Sequence, residues 1–172
     1  MKNQFVKIIC DFPRIIIIIT FAQMKNKSQM TQNKMTAHNA KAMLVTCMDF
    51  RFRNDVAKFM IEHGYDVNYD QFVLAGVSLG IIQDKNPYWA TSLIEHIEIS
   101  KKLHHISKVI LMDHLDCGAY KSFCPDIKTE KEEYEEHKKN LNLAEEKLKK
   151  AFPDLTIKKK IMHMDGTVDK VN

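Results

Sequence analysis

Two short apolar runs, Ala42 to Thr46 and Lys108 to Met112, each stop at a string of chemically loaded residues. The first runs into Cys47-Met48-Asp49-Phe50-Arg51, the second into Asp113 and then His114-Leu115-Asp116-Cys117. Their length and their Val, Ile and Leu content suit buried strands. A third run, Gln71 to Ala75, lies between them and ends at Gly76. The segments separating the runs have helical spacing. Asn54 can cap a helix with Val56, Phe59, Met60 and His63 on one face and Gly64 as its stop. Residues 88–104 bring Trp89, Leu93, Ile94, Ile97 and, less regularly, Leu103 to one side. Strand, helix, strand, helix, strand predicts an α/β fold: a central, mainly parallel β-sheet flanked by helices. Crossovers between parallel strands are right-handed, so the strands share a direction and their carboxyl ends line one edge. The crevice beyond that edge is where such sheets bind ligands. Both strings are therefore expected in the same crevice.

Cys47, His114 and Cys117 together offer two thiolates and an imidazole, the donor set zinc prefers. A lone cysteine at a strand end is usually a small core residue, and a His-x-x-Cys pair arises often by chance. It is the placement of both strings at the ends of parallel strands that makes a metal site of them. Asp49 and Arg51 add a charged pair beside the first cysteine. A bidentate guanidinium would keep the Asp49 carboxylate ionised and accepting, or the pair simply fixes the loop. Phe50, Val77 and Leu79 either line an apolar pocket for a small uncharged substrate or belong to the core.

The rest of the chain is mainly scaffold. Thr129-Glu130-Lys131-Glu132 reads as a capping box, opening a long helix with Tyr134, His137, Leu141, Ala144, Leu148 and Ala151 on one face and Pro153 after it. Glu crowds its start and Lys its end, which complements the helix dipole. Leu155 to Val171 suggests one more strand or a hairpin turning at Asp165-Gly166. A length of 172 residues suits one domain, and 45% hydrophobic with 28% charged residues is ordinary for a globular protein. A net charge of +4, with no compact basic patch interleaved with aromatics, argues against a nucleic-acid partner. Lys158-Lys159-Lys160 reads as the solvated start of a strand. Four cysteines at this length do not make a disulfide framework; Cys124 reads as a bystander in a loop, and Cys10 falls in the amino-terminal segment.

Residues 1–34 stand apart as a signal-like or flexible extension, ahead of a single zinc-binding α/β domain over 35–172. Lys2, Lys7 and Arg14 precede Ile15 to Ile19 and then Thr20-Phe21-Ala22. That order resembles an export signal, but the apolar stretch is far too short for a membrane span. Three readings fit it: a cleaved signal, an apolar arm that packs on a partner subunit, or an extension upstream of a start at Met24, Met30 or Met35. Residues 23–40 are polar and rich in Lys, Asn and Gln, and read as a linker or a loosely held arm. The expected compartment is the cytoplasm, or the periplasm if residues 1–22 are a signal peptide.

Cys47-x-Asp49-x-Arg51 with His114-x-x-Cys117-Gly118-Ala119 resembles the zinc-binding signature of the β-class carbonic anhydrases. The order of elements resembles theirs as well, including an Ala-Gly after the second strand. The likeness covers about residues 40–125, and the closing strand from Lys160 to Val171 is also similar. It implies one Zn²⁺ per chain held by Cys47, His114 and Cys117. Asp49 would either take the fourth zinc position in a closed form or turn away onto Arg51 and leave that position to water. The implied reaction is reversible hydration of CO₂ to bicarbonate by zinc-bound hydroxide, in a homodimer or dimer of dimers with sites near the subunit interface. Relatives on this scaffold hydrolyse carbonyl sulfide or carbon disulfide, and an inactive, structural zinc protein is the remaining alternative. The chain departs from the family pattern in three places. Val73-Leu74-Ala75-Gly76 stands where Arg-Asn-Ala-Gly is usual, and Asp113 replaces the Gly before the zinc histidine. Asp113 is then either an acceptor for His114 or an added negative charge beside the metal. Extra residues around Ile81 to Trp89 are expected to form a surface loop.

Overall fold

A computed structural model describes residues 38–172 apart from residue 67; the predicted extension over 1–34 lies outside the described residues. Five strands form one sheet: β1 (Met43–Thr46), β2 (Asp70–Val73), β3 (Lys108–His114), β4 (Thr156–Met162) and β5 (Val168–Val171), in the order β2-β1-β3-β4-β5. β1 lies parallel to both β2 and β3, and β4 is parallel to β3. Only β5 is antiparallel, folding back on β4 through the hairpin expected at Asp165-Gly166, where Gly166 has a φ of +82°. The helices are α1 (Arg53–Glu62), α2 (Ser78–Ile82), α3 (Pro87–His104), α4 (Gly118–Phe123) and α5 (Glu130–Ala151).

Alternation along the strands sorts side chains to two faces. Met43, Val45, Val109, Leu111, Ile157 and Ile161 join the larger core with Leu93 and Ile97 of α3 and Leu141, Ala144 and Leu148 of α5. Leu44, Ile110, Met112 and Met162 face the other way onto Val56, Phe59 and Met60 of α1. One face of the sheet is thus covered by α2, α3 and α5, the other by α1. A single helix is too narrow to roof five strands, so the α1 face keeps openings at both ends of that helix.

Local signals explain most of the boundaries. α5 has the full capping box between Thr129 and Glu132, and Lys149 and Lys150 lie in its last turn. α3 starts with Pro87 and ends at His105 in the left-handed region. The start of α1 differs from expectation. Asn54 is not its cap; the cap position is Phe52, which makes no side-chain capping bond. A 3₁₀ turn over Phe50–Phe52 feeds directly into α1, and Asp49 caps that turn by accepting from the Arg51 N–H. The cap has moved one turn upstream, into the site itself. β2 stops at Val73, short of the expected Ala75, because the Leu74 N–H bonds to the Thr46 carbonyl and the chain then turns at Gly76. The expected surface loop shrinks to residues 83–86, pinned by reciprocal bonds between Gln83 and Asn86.

Candidate metal centre

Cys47 follows β1, His114 ends β3, and Cys117 precedes α4, so the parallel register brings all three to one edge of the sheet. Their ligand atoms lie within 4.8 Å of one another. The His114 Nδ1–H donates to the Leu115 carbonyl at 2.8 Å, which leaves Nε2 buried with no hydrogen-bond partner. A buried imidazole nitrogen without a partner is costly unless something else occupies its lone pair. Zn–S and Zn–N bonds of about 2.0–2.3 Å in a tetrahedron separate the ligand atoms by about 3.4–3.8 Å. The cluster closes on such an ion with small movements. The donor set, the bare nitrogen and the spacing all fit zinc.

The backbone is shaped for this cluster. A hydrogen bond from the Cys117 thiol pulls the Cys47 sulfur toward thiolate despite burial, helped by His114 and by the Gly76 and Asp49 N–H groups. Cys117 is pushed the other way by its hydrogen bond to Cys47, then by burial and the Cys47 charge. Gly76 can approach because it has φ +66° and no Cβ; a Cβ there would sit 3.0 Å from that of Ala119. The next residue, Val77, is held at φ +36°, a conformation β-branched residues avoid. Such strain persists only where the surroundings over-determine it, here between the glycine that reaches Cys47 and the serine described below.

Asp49 is turned onto Arg51. Arg51 Nε and Nη2 donate to the Asp49 carboxylate at 3.0 and 2.7 Å, and the Arg51 N–H adds a third bond. These bonds hold the Asp49 carboxyl at about 2. The same guanidinium reaches across to the second string, donating to the Asp116 carboxylate at 2.7 Å and to its carbonyl at 3.0 Å. Lys121 also holds Asp116. Arg51 therefore ties the two ligand loops together, a role that a local salt bridge would not predict.

Behind the ligands lies a buried polar network. Asp113 does not accept from His114. Its carboxylate instead takes the Ser78 N–H at 3.0 Å, the Ser78 hydroxyl, the Tyr120 hydroxyl at 3.1 Å and His137 Nδ1–H at 2.7 Å. Asn140 donates to the Tyr120 oxygen. The other His137 nitrogen faces Glu133 at 3.7 Å, close enough for charge attraction but not for a hydrogen bond. Burial disfavours a charged His137, yet its bond to Asp113 and the nearby Glu133 outweigh this and raise it to about 9. Glu133 in turn accepts the Asp116 and Cys117 N–H groups, so α5 anchors the loop carrying the third ligand. The sequence reading placed His137 on the inner face of α5 but missed the network. A capping box and a histidine at helical spacing give no hint of partners that arrive from α2, β3 and α4.

A cavity of about 500 Å³ opens beside Cys47, Asp49 and His114, walled by Val56, Met112 and Met162. Phe50 lines it but is 79% exposed, on a rim with Met48 and Val73. Val77 does not line it. Its side chain is fully buried in the larger core, turned inward by the left-handed backbone after Gly76. Leu79 packs against Cys117 and Tyr120. Cys124 lies in the same small cluster at its margin, not among the ligand atoms.

A mainly parallel sheet with a Cys-His-Cys cluster that could hold a metal at its carboxyl edge defines the class, and comparison gives the family. Residues 37–172 match the family described as "Putative carbonic anhydrase", and the chain belongs to it. Proteins of Rickettsia conorii and Rickettsia bellii, both uncharacterized, are 35% and 33% identical over 138 residues. Those matches span 79% of this chain and 74% and 84% of the relatives. Among solved structures, the β-carbonic anhydrase CafA of Aspergillus fumigatus superposes with a TM-score of 0.57 at 11% identity, covering 88% of this chain and 84% of that one. The β-carbonic anhydrase CcaA gives 0.52 at 13%, covering 88% of each chain. A tetrameric β-carbonic anhydrase of Sordaria macrospora gives 0.51 at 12%, over 88% of this chain and 95% of that one. The fold is that of the β-carbonic anhydrases.

Proposed function

We propose that the chain is a zinc-dependent carbonic anhydrase, with Cys47, His114 and Cys117 as ligands and Asp49 and Arg51 as the catalytic pair. The observation that carries this reading is the bare, buried His114 Nε2 beside two cysteines, with Asp49 drawn away onto Arg51. Zinc held there would supply a Lewis acid and a water of lowered pKa. Asp49 stays ionised well below neutral pH, so it serves as a hydrogen-bond acceptor that orients the attacking oxygen and does not compete for it. Arg51 fixes that orientation from both loops. The walls of Val56, Met112 and Met162 favour a small, uncharged, linear molecule over water, which suits CO₂. The Met48, Phe50 and Val73 rim lies beside the edge strand β2, and a second copy of the chain covering it, in a homodimer or dimer of dimers, would bury this apolar surface.

Stopped-flow CO₂ hydration on zinc-quantified protein, wild type beside Asp49→Ala, tests the reading. One zinc per chain with hydration that the variant loses by two orders of magnitude or more supports it, about 3 kcal/mol of barrier. One zinc with no hydration at any pH refutes it, and carbonyl sulfide and carbon disulfide become the substrates to try.

A further inference from the structure

The α1 face of the sheet has a second opening. At the carboxyl end of α1 a cavity of about 370 Å³ is lined by Phe59, His63, Tyr65, Lys158, Lys160 and Lys170. The strand pattern determines which lysines meet there. Lys158 and Lys160 alternate to this face, while Lys159 between them points to the opposite face, where it pairs with Glu145 and donates to the Asn142 side-chain oxygen. Lys170 lies directly across from Lys160 in the antiparallel register. Like charges so placed repel each other and destabilise the sheet.

No carboxylate among the described residues forms an ion pair with them, although the Asp169 charge favours a protonated Lys160. Lys58, Lys101, Lys121, Lys138, Lys139 and Lys159 each have a carboxylate partner. Among the described residues Lys158, Lys160 and Lys170 have none. Asp169, the carboxylate nearest in charge to Lys160, is occupied by Tyr134 and His163. A fourth ammonium, Lys108, rests on Tyr65 at the cavity wall. The Lys160 ammonium is drawn over the Phe59 ring at 5.5 Å, and burial, then Lys158 and Lys170, lower its proton affinity. Unpaired charge is thus held in a concave, partly aromatic site within the usual size range of a small-molecule pocket.

We propose that this cleft binds a small phosphorylated anion, with Lys158, Lys160 and Lys170 as its counter-charges and the stacked Phe59–His63 pair as its wall. Three ammonium groups on flexible stems act as point charges of the kind that lysine supplies to phosphate groups, and together they match a multiply charged anion better than a single carboxylate. The site stands independently of the metal centre.

Titration of the full-length protein, followed by NMR, tests it. Inorganic pyrophosphate and ADP are the probes, with zinc content measured before and after to exclude chelation. The expected result is saturable binding of one anion per chain, with shifts centred on His63, Tyr65 and Val171. The Lys158→Gln/Lys160→Gln double variant should weaken it at least tenfold and melt higher than wild type without ligand. Lys101→Gln, whose partner is Asp154 outside the cleft, should bind as wild type does. Tighter binding of ADP assigns a nucleotide; equal binding assigns the phosphate group alone. Shifts that never saturate, that centre on Cys47 and His114, or that survive in the double variant overturn the proposal.

Discussion

Replacing His137 by Gln removes one buried positive charge while keeping an N–H that can face Asp113. The wild-type imidazole is 1% exposed and is raised from 6.5 to about 9 in the folded protein. A raised basic group stabilises the fold fully below its unfolded pKa, and that stability is lost as pH rises through the folded value. The full contribution is about 3 kcal/mol below pH 6, most of which remains at pH 7 and little at pH 9. Urea unfolding of both proteins at pH 7, 8 and 9 reads this directly. The wild type should exceed His137→Gln by about 2–3 kcal/mol at pH 7, and most of that gap should close by pH 9. Comparing the two proteins at each pH cancels the titration of Cys47, Cys117 and the surface. The His137 ring signal should titrate near pH 9 in the folded wild type. A gap that stays constant from pH 7 to 9, or a ring midpoint below 7, would refute a charged histidine between Asp113 and Glu133.

Two other substitutions probe how the ligand loops are held. Glu133→Gln leaves one carbonyl oxygen for the two N–H groups of Asp116 and Cys117, so one donor loses its acceptor; a stability loss of about 1–3 kcal/mol and faster zinc release to a chelator are expected, and unchanged release would show that α5 does not anchor this loop. Val77→Gly should cost no more than Val77→Ala in chemical denaturation, although glycine normally costs about 1 kcal/mol more, because glycine relieves a strained positive-φ backbone worth about 1–3 kcal/mol; the ordinary ranking would remove the argument for strain at φ +36°.

The sheet and the three candidate ligands were legible because their signals are local. A short apolar run ending in Cys or His states both the strand and its exit, and parallel topology supplies the meeting point. Asp49 and Arg51 were legible for the same reason, being two and four residues past the cysteine. What stayed hidden depends on residues brought together from distant elements. Val77 looked like a pocket residue because it follows the Ala-Gly turn, but the positive φ of Gly76 and then of Val77 rotates that side chain into the core. Asn54 looked like a cap because no sequence rule says that Asp49, two residues past the cysteine, already caps the preceding turn. The lysine run read as a solvated stretch because alternation was not followed to its end: it sends Lys159 to a carboxylate and its two neighbours to a face that has none.

Asp113 shows how a departure from the family motif is accommodated. A carboxylate where glycine is usual lies next to the candidate ligand His114 and is 1% exposed. Burying it bare would be costly, and its charge would weaken any anion bound at the metal. The structure answers with four donors on one carboxylate, one of them a charged imidazole. Those donors come from α2, α4 and α5, the elements that carry the Gly76 turn, the Cys117 loop and the Glu133 anchor. The charge that glycine would have avoided has become the junction through which three elements hold the site's geometry. A substitution at Asp113 should therefore act on the position of Cys117 and Gly76 more than on His114, whose own Nδ1 is satisfied by the Leu115 carbonyl. That is why the residue beside the ligand and the histidine on the distant helix are expected to be intolerant of change together, and neither alone explains the other.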